Sequence, residues 1–184
     1  MSYKSNFVFI TMTMTFFKKY KKQLDILFWV AFAFVVVWKV IIPRIPPSVD
    51  FEQLVFVDEE GKKYSLQNFK DKNLLINFYQ SWCGPCMGEM PDLNNAYLKL
   101  MDDDFVFIVV SDESFQLINK VRNKGNYKMF FLQSEQDFDD VGIKAYPTTF
   151  LLNKEHKVVY KKVSPEDWDS PEMIQNFRAF TSVQ

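Results

Sequence analysis

The feature that most constrains this chain is a pair of cysteines, Cys83 and Cys86, separated by two residues and unaccompanied by any other cysteine. An apolar run of strand character, residues 74–79, precedes the pair, and apolar residues recur at helical spacing from Met87 to Leu100. The pair therefore lies where a strand passes into a helix. Backbone N–H groups and the helix dipole favour negative charge at such a site, so we expect Cys83 to be an attacking thiolate. Cys86 is expected to be buried and to resolve the mixed disulfide that Cys83 forms.

Two other interpretations of the cysteine pair are weaker. A purely structural disulfide across two residues closes so short a loop that it adds little stability through chain entropy. A zinc site needs four ligands, and the single histidine, His156, lies about 70 residues beyond Cys86 in an expected turn. We therefore expect no metal site, and a solvated His156.

Three stretches of the chain together resemble the thioredoxin superfamily. They are NFYQSWCGPC at residues 77–86, EMPDL at residues 89–93, and YPTTF at residues 146–150. Within the superfamily the chain looks like the membrane-anchored TlpA/ResA-type thiol–disulfide oxidoreductases, with weak similarity over about residues 50 to 180. The resemblance implies an α/β thioredoxin fold: a central mixed sheet flanked by helices, with an added N-terminal β-hairpin and an inserted helix.

The patterning places the elements of that fold. We expect a hairpin from residues 53–57 and 63–66, and a second from residues 148–153 and 158–162. The other expected strands are 74–79, 105–110 and 129–132, and the expected helices are 85–101, 114–124, 135–141 and 171–181. We also expect Gly125 to end the inserted helix and Pro91 to kink the first one.

The resemblance also assigns roles to individual residues. Glu89 is expected to manage protons near the thiols, although a solvated helix carboxylate is the alternative. Asn77 stands where cytosolic thioredoxins carry a buried aspartate, so the proton acceptor for Cys86 must be Glu89, water or the substrate. Expected substrate-contacting residues are Trp82, Gly84, Pro85, Tyr146 and Pro147, the last in a fixed turn opposite the disulfide, of a kind in which cis proline bonds occur. A core position is the alternative for Trp82. No cofactor beyond the redox-active disulfide is implied.

The charges are divided unevenly along the chain. Residues 1–47 carry a net charge of +6 and residues 48–184 a net charge of −7. An acidic globular part argues against a nucleic-acid partner. Residues 24–42 are apolar apart from Asp25 and Lys39, and 19 residues of helix nearly span a hydrocarbon core of about 30 Å. The preceding lysines place the N-terminus in the cytoplasm, although a cleaved signal peptide is the alternative.

These observations predict four regions and one location. The regions are a basic cytoplasmic N-terminus over residues 1–23, a transmembrane anchor over 24–42, a proline-rich linker over 43–49 and a thioredoxin-like domain over 50–184. We expect a single-pass inner-membrane protein whose domain lies on the periplasmic, or extracytoplasmic, side.

The leading hypothesis for function is the reduction of disulfides in exported proteins, with a membrane protein as the electron donor. By family resemblance, apocytochrome c is a plausible substrate. An oxidant or isomerase role is the main rival. A thiol peroxidase, which usually needs a Thr-x-x-Cys context, and a redox-sensitive binding module are weaker alternatives.

Overall fold

The structure, a computed structural model, describes residues 21, 23, 25–35, 49–51 and 53–182. The chain divides into two units, Met1–Pro46 and Pro47–Gln184. In the first unit residues 25–35 are helical and their side chains are exposed. Over the described residues no helix is both long and apolar enough to cross a bilayer. The expected N-terminus and linker fall largely outside the described residues, as do residues 24 and 36–42 of the expected anchor, so these three regions stay predictions.

The second unit is built on one seven-stranded sheet in the order β2-β1-β5-β4-β3-β6-β7. Its strands are β1 (Phe56–Val57), β2 (Lys63–Tyr64), β3 (Asn73–Phe78), β4 (Phe105–Ser111), β5 (Phe130–Ser134), β6 (Thr148–Leu152) and β7 (Val158–Val163). β3, β4 and β5 are parallel, whereas β6, β7, β1 and β2 join antiparallel. This mixed sheet, with helices packed against it, is the thioredoxin-like α/β fold.

In its described residues this unit has three α-helices: α1 (Gly84–Leu100), α2 (Phe115–Gly125) and α3 (Pro171–Ser182). Short 3-10 helices cover Leu66–Phe69 and Met101–Asp103. The apolar run before the cysteines becomes β3, in which all six residues are buried. A strand that is buried on both faces reads as a continuous apolar run because neither face meets water.

Alternate residues of β3 belong to two separate hydrophobic clusters, because successive side chains of a strand point to opposite faces of the sheet. Leu75 joins the cluster that contains both cysteines, Met90 of α1 and Phe177 of α3. Ile76 and Phe78 join a second cluster rich in phenylalanine, which also holds Phe51, Phe56, Phe69, Phe138 and Phe150. The strand that leads into the cysteine segment is thus packed on both faces of the sheet.

Most expected elements are present with boundaries shifted by a residue or two, but several expectations need correction. The first hairpin is present and shorter than expected, since only two residues of each strand are paired. The helix expected over 135–141 is wrong. The segment forms a single turn in which the Ile143 N–H donates to the Phe138 carbonyl, and Gly142 adopts a φ of 82°. That left-handed residue ends the turn before a helix can propagate.

The end of α2 also differs from expectation. The left-handed residue is Asn126, with a φ of 51°, rather than Gly125. Gly125 is needed for a different reason: a Cβ there would lie 2.1 Å from the ring of Tyr127. Helix α1 is continuous through Pro91.

Candidate active site

The two cysteines lie at the first turn of α1, where they form a disulfide. Cys83 is the N-cap of the helix, and its Sγ accepts a hydrogen bond of 3.2 Å from the Cys86 N–H. A sulfur that accepts a backbone N–H at a helix N-terminus is placed to carry negative charge. Cys83 is 6% exposed and Cys86 is fully buried, so the order of exposure is as expected although Cys83 itself is largely covered. Gly84 and Pro85 are exposed beside them.

The loop before β6 lies at the same end of the sheet as the cysteines. Thr148 pairs with Phe78 at the end of β3, and the Tyr146–Pro147 peptide bond immediately before it is cis. Pro147 is buried and Tyr146 is half-buried. The pairing of β6 with β3 therefore brings the YPTTF stretch, residues 146–150, to the sheet edge from which the cysteine segment departs.

Two aromatic rings border the cysteines on the surface. Trp82 is 72% exposed, and its ring meets that of Tyr146 edge to face with centroids 5.9 Å apart. The core position that was the alternative for Trp82 is therefore wrong. The pair offers an apolar surface next to Cys83 on which another molecule can dock.

Glu89 lies one helical turn beyond Cys86 and is only 2% exposed. Its Oε2 accepts hydrogen bonds from the Trp168 indole N–H, at 2.8 Å, and the Glu166 backbone N–H, at 3.3 Å, while its Oε1 accepts one from the Asn77 amide at 2.8 Å. Burial raises the pKa of this carboxyl above its ordinary value, and the three hydrogen bonds oppose that shift. The alternative of a solvated helix carboxylate is therefore wrong.

Asn77 links this carboxyl to the sheet. It is fully buried, and its Nδ2 donates both to Glu89 and to the Thr149 hydroxyl, each at 2.8 Å. Its Oδ1 has no hydrogen-bond partner within the part of the chain that the structure describes. A buried acceptor without a partner destabilises the folded state. The Asn77 Oδ1 can therefore accept a hydrogen bond from a neighbouring group that gains a proton.

Two neighbouring carboxylates, those of Asp112 and Glu113, bind the segment that leads into the cysteines. The Glu113 carboxylate accepts hydrogen bonds from the Ser81 N–H at 2.6 Å, the Ser81 hydroxyl at 2.7 Å and the Ser111 hydroxyl at 3.1 Å. The neighbouring Asp112 accepts one from the Gln80 amide at 2.6 Å. Asp112 and Glu113, directly after β4, thus hold Gln80 and Ser81, the two residues before Trp82.

Sequence reasoning missed Glu113, Asp112 and Trp168. A signal for the first two exists: polar residues directly after a buried parallel strand lie at the same sheet edge as the end of the neighbouring strand. Trp168 precedes α3 in an acidic loop and carries no periodic signal.

His156 differs from expectation in one respect. It lies in the β6–β7 turn as predicted, but it is half-buried and its Nε2 lies 3.2 Å from the Phe69 carbonyl oxygen. Over the described ranges of the chain, no three His, Cys, Asp or Glu side chains are grouped so that they could hold a metal ion.

Comparisons with known proteins agree with this geometry. The family profile described as Redoxin matches residues 44–177. The chain is 32% identical over 113 residues to the thiol-disulfide oxidoreductase ResA of Bacillus subtilis, covering 60% of this chain and 63% of that protein. It is 35% identical to ResA of Bacillus thuringiensis subsp. konkukian, covering 57% of this chain and 62% of that protein. The matches thus span less than two thirds of these relatives.

Solved structures share the fold. A putative thiol:disulfide interchange protein DsbE from Chlorobium tepidum superposes with a TM-score of 0.63 at 21% identity, covering 74% of this chain and 99% of that one. StoA from Bacillus subtilis superposes with a TM-score of 0.53 at 20% identity, covering 70% and 95%. At these identities the likeness concerns the fold alone.

Proposed function

The chain belongs to the redoxin family, and we propose that it is a thiol–disulfide oxidoreductase that reduces disulfides in exported proteins. The observation that carries the proposal is the disulfide at the start of α1, in which the Cys83 sulfur accepts a helix N–H. The same N–H would stabilise the Cys83 thiolate once the disulfide is reduced. Similarity to proteins named thiol-disulfide oxidoreductase ResA supports this chemistry.

The reaction transfers two electrons from the dithiol to the substrate. The Cys83 thiolate attacks one sulfur of the substrate disulfide, that S–S bond breaks, and the other substrate sulfur leaves as a thiolate that takes up a proton. Cys86 then loses its proton and attacks the Cys83 sulfur. The Cys83–Cys86 bond forms and the second substrate sulfur leaves as a thiol. The disulfide must afterwards be reduced by a dithiol donor.

We assign proton handling at Cys86 to Glu89. Its carboxyl lies one turn along α1 from Cys86, and its raised pKa brings it closer to neutral pH, where it can exchange a proton. Asn77 has no titratable group, so it positions Glu89 rather than replacing it. Trp82, Tyr146 and Pro147, together with the exposed Gly84 and Pro85, are assigned to substrate contact.

The direction of electron flow and the location extend the proposal. In the families that the motifs resemble, Cys-Gly-Pro-Cys accompanies reducing proteins more than oxidising ones, and apocytochrome c cysteines are a plausible substrate. We place the domain on the extracytoplasmic side of the membrane, held by the segment over residues 24–42 and supplied with electrons by a membrane protein. The basic residues before that segment support this orientation.

Trapping the mixed disulfide tests the proposal. A Cys86→Ser variant should accumulate a covalent complex with a disulfide-containing protein through Cys83, because no second thiol is left to resolve it. A Cys83→Ser variant is the matched control and should form far less complex. Equal trapping by both variants, or none by either, would show that Cys83 is not the attacking group.

A further inference from the structure

A groove between α1 and α2 opens beside the cysteine segment, and nothing proposed so far uses it. We call it the α1–α2 groove. It encloses about 490 Å³. Its apolar walls come from Met87, Pro91, Leu117, Val121 and Tyr127, and Ser81 lies at one end. The groove therefore offers an apolar channel that starts two residues before the attacking cysteine.

The groove carries a pair of unbalanced positive charges. Lys120 and Lys124 line it one helical turn apart on α2, and both are exposed. Across the part of the chain that the structure describes, neither forms a salt bridge, whereas Arg122 between them pairs with Glu59. Helix α2 contains no acidic residue, although residues 48–184 carry a net charge of −7. The lysines are thus a local basic site on an acidic domain.

The direction of α2 fixes where these charges lie along the groove. Glu113, two residues before α2 begins, binds Ser81 beside the cysteine segment, so the helix runs away from the active site. At about 1.5 Å per residue, Lys120 and Lys124 lie roughly 8 and 14 Å along the axis from Phe115. At about 3.3 Å per residue, an extended chain covers these two distances in about two and four residues.

From the apolar walls, the lysine pair and this spacing, we infer that the α1–α2 groove binds an acidic segment of the substrate protein. The inference rests on the proposed function and names the substrate class: a chain with an apolar side chain close to its reacting cysteine and acidic residues about two to four positions away. A polypeptide fits better than an anionic membrane surface because the site is a concave channel between two helices, and its lining includes Ser81, two residues before Cys83.

The test compares exchange rates of the reduced full chain with two disulfide peptides. Both carry leucine two residues from the cysteine on each side, and one carries paired glutamates four residues away where the other carries glutamines. The wild type should react about three- to tenfold faster with the glutamate peptide, the range expected for two exposed charge pairs. The preference should shrink in high salt because exposed charges are screened.

Reversing the charges of the two lysines tests whether they cause the preference for the glutamate peptide. Lys120→Glu with Lys124→Glu should abolish or reverse it, and Lys120→Gln with Lys124→Gln should abolish it without adding negative charge. The matched control, Lys70→Glu with Lys157→Glu, makes the same net change at exposed positions near the opposite end of β3. It should keep most of the preference. An equal loss in this control would overturn the inference in favour of a general effect of net charge.

Hydroxyethyl disulfide, which is small and uncharged, separates this inference from the proposed function. All variants should reduce it at the wild-type rate. If the wild type reduces it but treats both peptides alike, the groove proposal fails and the oxidoreductase proposal stands. If the wild type does not reduce it at all, the oxidoreductase proposal fails. Loss of binding to anionic vesicles in the lysine variants, with peptide selectivity unchanged, would assign the lysines to a membrane surface and overturn the inference.

Discussion

Replacing Glu89 by glutamine removes a buried charge while keeping the shape of the side chain. Burial raises the pKa of the Glu89 carboxyl above 4.5, its value without the protein environment. A carboxyl whose pKa is higher in the folded state holds its proton more tightly there than in the unfolded chain. The stability that this group contributes is therefore fully present below about pH 4.5 and is lost as the pH rises through the raised folded pKa.

The pH dependence of the free energy of unfolding that Glu89 causes is limited because only one proton is involved. Between the unfolded and folded pKa values, the unfolded state binds up to one proton fewer, so the free energy of unfolding falls by at most about 1.4 kcal/mol per pH unit. Glutamine keeps the hydrogen bonds from Trp168 and Glu166 when its oxygen faces those donors. Its amide can donate to Asn77 only if that side chain turns its unpartnered Oδ1 inward, which takes the Asn77 Nδ2 away from the Thr149 hydroxyl. We therefore expect a cost of rearrangement that does not depend on pH, so the difference in stability between the two proteins should change with pH only through the Glu89 proton.

Urea unfolding of the oxidised protein between about pH 4 and pH 8 measures this difference, and the closed disulfide removes cysteine titration from the comparison. The stability of the wild type should fall relative to Glu89→Gln as the pH rises above about 4.5. Glu172→Gln, which removes an exposed carboxylate from the first turn of α3, should follow the wild type. Parallel curves for the wild type and Glu89→Gln would refute the reasoning.

Three further substitutions test individual contacts by the same unfolding assay. Gly88→Ala should stabilise the protein by about 0.5–1 kcal/mol, because a Cβ at this helical position meets nothing within 4 Å. Gly125→Ala should instead destabilise by about 1–3 kcal/mol, because its Cβ overlaps the Tyr127 ring; equal effects for the two glycines would contradict the close approach. Glu113→Gln should destabilise the protein by about 1–2 kcal/mol and speed amide hydrogen exchange at Ser81. Unchanged exchange at Ser81 would argue that Glu113 does not hold this residue.

The sequence is informative where a property repeats locally. The apolar run over 74–79 becomes β3, the apolar run over 105–110 becomes β4, and the expected hairpin near the C-terminus becomes β6 and β7. Each of these signals is periodic or continuous within about six to ten residues, so neighbouring side chains alone determine it. The cysteine pair at the start of α1 is equally local.

The parts that escaped prediction depend on contacts across the fold. Trp168 reaches Glu89 across 79 residues of sequence, and Ser81 reaches Glu113 across 32. The residues around Trp168 do not predict its partner, and the contact between Ser81 and Glu113 is indicated only by the parallel pairing of β3 with β4. The segment over 135–141 failed for a related reason. Its apolar spacing is compatible with a helix, but Asp112 binds the Phe138 N–H and holds the segment as a turn.

The reduction potential of the Cys83–Cys86 pair tests the central claim most directly. Equilibration of the protein with defined ratios of reduced and oxidised dithiothreitol gives the value, and a Cys86→Ser variant shows which signal belongs to the pair. A protein that reduces disulfides should have a potential near that of thioredoxin, about −270 mV, or lower. A value near about −120 mV would contradict the proposed direction of electron flow and make the protein an oxidant.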